Sequence, residues 1–231
     1  MKLDERRAYD DALAALRALR DNCSAAIDVL QQPSTAPPAS ILASHSRPAL
    51  SALHKDFQSL LTLVYASTTK LTLVLRPSEA VPSAAPGPIK DLGTSITSLA
   101  TCATLFFIYG TTLASDATLL AKDVIEAVRS LTSMFVEDGG YDYLVRTATV
   151  HEKIEKARSE LPADNISAIR KRWKADNGML EDSLQEVSDM VEDNDEGEHD
   201  LDTDNLDDEW DELGFGSAKK LSEVELERIK K

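Results

Sequence analysis

Two cysteines in 231 residues are too few for a disulfide scaffold or a cysteine-based zinc site. Nine glycines and nine prolines exclude collagen, a β-solenoid and a glycine-rich phosphate-binding fold. Aromatics make up only 5% of the chain, so a β-sandwich or barrel would lack the residues its strands prefer. The four histidines, at 45, 54, 151 and 199, share no ligand spacing such as i, i+4. There is no glycine-rich phosphate loop, no nucleophile elbow and no His-Glu-x-x-His. No alternating run is flanked by Asn-Gly or Asp-Gly. These absences argue against most enzyme classes. Catalytic residues, cofactors and metals are not expected, and binding is the expected role.

What is present is helical. Apolar residues reach 42%, and a chain of this length buries roughly 70% of its unfolded surface, enough for a real core. The first helix is predicted from about Asp4 to Gln32 on the line Leu13, Leu16, Arg20, Cys23, Ile27 and Leu30, closed by Pro33 and Pro37-Pro38. Leu50, Leu53, Phe57, Leu60, Val64, Ser67, Leu71 and Val74 then step 3-4-3-4-3-4-3, a heptad seam. Pro77, Pro82, Pro86 and Pro88 follow and read as a non-helical loop of about ten residues. Leu92, Ile96, Leu99, Ala103, Phe106, Gly110 and Leu113 line a third helix, with a break or kink expected at Tyr109-Gly110. Leu120, Val124, Ala127, Leu131 and Phe135 continue the pattern up to Gly139-Gly140. A fifth helix, 141–160, carries Leu144, Ala148, His151, Ile154 and Leu161 on its expected apolar side; His151 reads as a packed structural histidine. Asp164 is the expected N-cap of a sixth helix at 165–192, with the row Ile166, Ile169, Trp173, Leu180, Leu184, Val187 and Val191. The expected fold is all-α, an antiparallel bundle of five to six long helices.

Net charge is −15 and unevenly placed. Asp189 through Glu212 holds 14 acidic residues and no Lys or Arg; the rest of the chain sets 26 acidic against 25 basic residues. An acidic run repels nucleic acid and anionic lipid, so neither is an expected partner. Its simplest reading is a self-repelling, disordered linker over 193–212. Asp200, Asp202, Asp204 and Asp211 take up positions 1, 3, 5 and 12 of a calcium loop. Asn205 and Asp207, however, stand where Gly and an apolar residue belong, which ranks calcium far below the linker. Arg170, Lys171, Arg172 and Lys174 surround Trp173; a solvated basic helix face is the plainer account, and Arg170, Arg172 and Trp173 are kept as candidate docking residues.

No apolar h-region follows Met1–Arg7, so this is not a signal peptide. Residues 92–115 are uncharged over 24 positions, long enough for a bilayer, but nine are Ser or Thr and Gly110 interrupts the run. A helix buried inside a bundle explains it better, and no membrane association is expected. Two cysteines without an export signal place the chain in cytosol or nucleus. At the end, Trp210, Leu213 and Phe215 stand out after the acidic strip as candidate docking anchors. Ser222 and Glu225 then have the spacing of a capping box. Residues 213–231 read as the start of a further helical element that the chain does not complete.

Tyr143-Leu144-Val145-Arg146-Thr147-Ala148-Thr149-Val150-His151-Glu152 resembles the Tyr-Leu-x-x-Thr-Gly-x-Val-Trp-Glu stretch of the cyclin-D-binding (GCIP) family. Leu161–Asn165, Arg172-Trp173, Asp182–Glu186 and the acidic linker into Trp210–Gly214 are similar as well. Ala148 and His151 depart from the family's Gly and Trp. The resemblance covers about 141–231 and implies a divergent, truncated member. It implies an all-helical protein distantly like the vinculin and α-catenin bundles, without catalytic residues. It also implies partners of the cyclin or adaptor type, a restraining role in the cell cycle, and residence in cytoplasm and nucleus. The alternative is a cytoskeletal or scaffolding adaptor of the vinculin type. The sequence does not state an oligomeric state.

Overall fold

The computed structural model describes residues 3–32, 48–137 and 140–195. They form α1 (Leu3–Gln31), α2 (Leu50–Leu75), α3 (Pro86–Leu105), α4 (Thr111–Glu137), α5 (Tyr143–Glu160) and α6 (Asn165–Asp195). Single 3-10 turns occupy Pro82–Ala84 and Phe106–Tyr109. No strand occurs among the described residues, and the architecture is the all-α bundle expected from the periodicity. The chain divides into two compact units, Met1–Arg170 and Lys171–Lys231, with the boundary inside α6.

The first unit is a five-helix bundle. α2 packs on α3, α3 on α4, α4 on α5, and α5 back on α2, closing a ring; α1 lies against α3 and α4. The links between α2, α3, α4 and α5 are short, so these successive helices run antiparallel. The uncharged run is long and apolar enough to cross a membrane. Within the bundle, its Leu92, Ile96, Leu99, Ala103 and Phe106 are buried in the core. Phe106 meets Phe57 edge-on at 5.8 Å and His54 at 5.2 Å, the favoured T-shaped geometry.

Three expectations need correction. The proline-rich stretch is not all loop: α3 begins at Pro86 and has Pro88 in its first turn. The first N–H groups of a helix have no intrahelical partner, so proline loses nothing there. The strict heptad named Leu60 as core, whereas Leu61 is fully buried and Leu60 only half-buried. A straight helix repeats every 3.6 residues, so a 3.5 pattern drifts off the buried face. On α5 the expected apolar row holds only in part: Ile154 is buried as expected, but Leu144 and Ala148 are exposed, and Thr147, Val150 and Ala157 face inward instead.

The α5 error has a clear cause, because the α2–α5 seam is polar. Thr72 and Thr147 share a buried hydroxyl–hydroxyl hydrogen bond at 2.9 Å. Thr69 Oγ1 lies 3.2 Å from His151 Nε2, and the His151 ring stacks on Tyr65 at 3.9 Å. Arg158 donates to Thr62 Oγ1 at 2.8 Å, and Gln58 donates to the Arg158 carbonyl at 3.4 Å. On α2 these residues step 58, 62, 65, 69, 72, a polar row beside the apolar one.

The break between α3 and α4 falls at the expected place. Gly110 has φ 140°, which other residues rarely adopt, and an added Cβ would overlap the Asn165 amide. That amide caps α4: Asn165 Oδ1 accepts the Leu113 N–H at 3.0 Å. Asp164 caps α6 as expected, its Oδ1 accepting the Ser167 N–H at 2.7 Å. That bond, with a second from the Ser167 side chain, holds the Asp164 carboxyl below the usual range.

Candidate interaction surfaces

The groups that could carry chemistry are largely used in packing. Cys23 and Cys102 are buried thiols. His54 sits against Phe106, and His151 fills the seam between Tyr65 and Thr69. His151 is therefore the packed histidine expected. Among the described residues no three His, Cys, Asp or Glu side chains gather as a metal site would require. What the surface offers is apolar area in unusual places.

In the first unit the two most exposed large hydrophobic side chains stand at or just before the start of α5. Tyr141 is 93% exposed, Leu144 65% and Val145 60%. They belong to or adjoin the 143–152 stretch that carries the family resemblance. The structure divides that stretch in two. Thr147 and Val150 pack against the bundle, and Arg146 donates to Ser130 Oγ at 3.0 Å. Leu144 and Val145 have no packing role that would explain them. Sequence reasoning missed this patch by assigning Leu144 to the core.

The second unit, where described, is α6 from Lys171 onward. Trp173 is 74% exposed, Leu180 69%, Leu184 68% and Val187 38%. A helix normally turns such a row inward; here it faces outward. Asn177 completes the row and donates to Glu181 Oε1 at 2.7 Å. Of the candidate docking residues, Arg170, Arg172 and Trp173 are all exposed. Arg170 closes the first unit, whereas Arg172 and Trp173 belong to the second. Trp210, Leu213 and Phe215 lie outside the described residues, as do the calcium-like aspartates, the linker from 196 and the element at 213–231.

A family model described as "Grap2 and cyclin-D-interacting, N-terminal" matches residues 56–193. That span takes in α2 from its seventh residue, all of α3, α4 and α5, and nearly all of α6. Comparison with curated proteins and with solved structures finds no match.

Proposed function

The chain belongs to the Grap2 and cyclin-D-interacting family, and from that premise we propose that it is a protein-binding module for D-type cyclins and Grap2-like adaptors. Its role is binding rather than catalysis. By restraining its cyclin partner it slows cell-cycle progression, acting in cytoplasm and nucleus. The observation that supports this reading most is the family match over 56–193, more than half of the chain. Within that span, the patch of Leu144 and Val145, with Tyr141 beside it, is the docking point for the partner. A rigid helix turn carrying two aliphatic side chains and an adjacent tyrosine is the kind of anchor that fills an apolar pocket on another protein.

The test is calorimetric titration of the purified chain with a purified D-type cyclin. Binding is expected, and Leu144→Asp with Val145→Asp should weaken it at least tenfold, roughly 1.4 kcal/mol or more. The melting temperature should stay within about 2 °C, because both side chains are exposed. Absence of binding by the unaltered chain removes the cyclin reading. Full binding by the doubly altered chain moves the docking point off α5.

A further inference from the structure

We infer that the exposed row on α6 is a self-association surface, and that its occupant is α6 of a second copy of this chain, packed antiparallel. The inference rests on the second unit alone and is independent of the docking point on α5.

Trp173, Asn177, Leu180, Leu184 and Val187 step 4-3-4-3, the spacing of a coiled-coil seam. A solvated helix that exposes Trp, two Leu and Val along one row leaves a face that water solvates poorly. The charge pattern says what covers it. Lys171, Arg172 and Lys174 make the start of this stretch basic, and Glu181, Asp182, Glu186 and Asp189 make the following stretch acidic. A helix polarised in this way complements a reversed copy of itself.

The seam register sharpens the point. With Trp173, Leu180 and Val187 at d positions and Asn177 and Leu184 at a positions, Lys174 and Glu181 fall at e. In an antiparallel pair, a layers meet d layers and e flanks meet e flanks. Trp173 then stacks against Leu184 of the copy, Leu180 against Asn177, and Lys174 faces Glu181 twice by symmetry. Glu181 already accepts from Asn177 within its own helix, but a carboxylate has room for further donors. The parallel alternative is penalised: it sets Asp176, at g, against Glu181 and lays the two basic ends side by side. A symmetric two-fold contact of this kind closes on itself and gives a dimer rather than a filament.

The seam is short, so the dimer is expected to be weak, with Kd in roughly the micromolar range. Sedimentation velocity of the full chain across that range should show reversible growth from 25.2 kDa to twice that mass. Lys174→Glu and Glu181→Lys should each weaken the dimer roughly tenfold, and the two together should restore it to within about threefold. Circular dichroism of each variant confirms that the bundle is intact. A chain that stays monomeric throughout overturns the proposal, including a monomer whose Trp173 is shielded from iodide because its own residues 196–231 cover the row. A dimer indifferent to both charge reversals, or one that the double reversal fails to restore, overturns it as well.

Discussion

Burial pushes the Cys23 thiol up to about 12, against a smaller opposing pull from the Arg129 guanidinium. Cys102 rises to about 11, through burial first and the nearby Asp56 carboxylate second. The thiolate is the reactive form, and at neutral pH neither residue supplies it. Ellman's reagent should therefore find no fast thiol in the folded chain and two after unfolding in guanidinium; one fast native thiol would show that the core opens readily. The histidines shift the other way. Burial lowers His54, opposed by a hydrogen bond to the Ala163 backbone, and lowers His151, opposed by the Glu155 carboxylate. A folded pKa below the ordinary 6.5 means that the unfolded chain takes up the proton first on acidification. The stability due to the neutral rings is complete above about pH 6.5 and is lost as pH falls through their lower folded values. Melts at pH 7.5 and 5.5 should show this drop, and His151→Gln, which keeps a partner for Thr69, should reduce it. Equal drops in both proteins would remove His151 from the account.

At the scale of a helix, Leu60 and Leu61 separate two ways of reading one pattern. Leu61→Ala should cost about 2–5 kcal/mol, because it empties a fully enclosed site. Leu60→Ala, at a half-buried position, should cost about 1 kcal/mol. Equal losses in denaturant titrations would return the seam to the heptad register. α1, α3 and α4 are legible because their buried rows are largely apolar: Leu16, Cys23, Ile27 and Leu30 on α1, or Leu92, Ile96 and Leu99 on α3. α5 is legible only at His151 and Ile154, because its inward face also rests on Thr147 against a polar row on α2, and hydrophobic periodicity cannot register a hydroxyl pair. The α4 cap was hidden for a related reason. Gly110 supplies no side chain, so the cap comes from Asn165, 52 residues on from Leu113. Asn165→Ala should cost roughly 1 kcal/mol, as loss of an N-cap does. An unchanged midpoint would show that another group takes over the Leu113 amide.

Across the whole molecule, a helix packed against three others and the helix with the most exposed apolar surface are predicted by the same kind of pattern. α4 contacts α1, α3 and α5, and thirteen of its residues are buried. α6 beyond Arg170 carries an equally regular row, yet its side chains through Met190 are mostly exposed. Periodicity states that a face wants cover; it does not state whether the same chain provides it. The candidate surface was thus half legible: Trp173 was flagged for its basic neighbours, while Leu180 and Leu184 passed as core. This contrast predicts a steep gradient of amide protection. Exchange in α4 should require opening of the bundle, whereas exchange from 171 to 190 should need only local fraying, roughly a thousandfold faster. Hydrogen-exchange mass spectrometry in dilute solution reads both segments at once. Raising the protein concentration should slow the 171–190 peptides and leave α4 unchanged, because pairing of two α6 helices protects only the paired stretch. Equal protection of the two segments at high dilution would mean that α6 is held by contacts within its own chain.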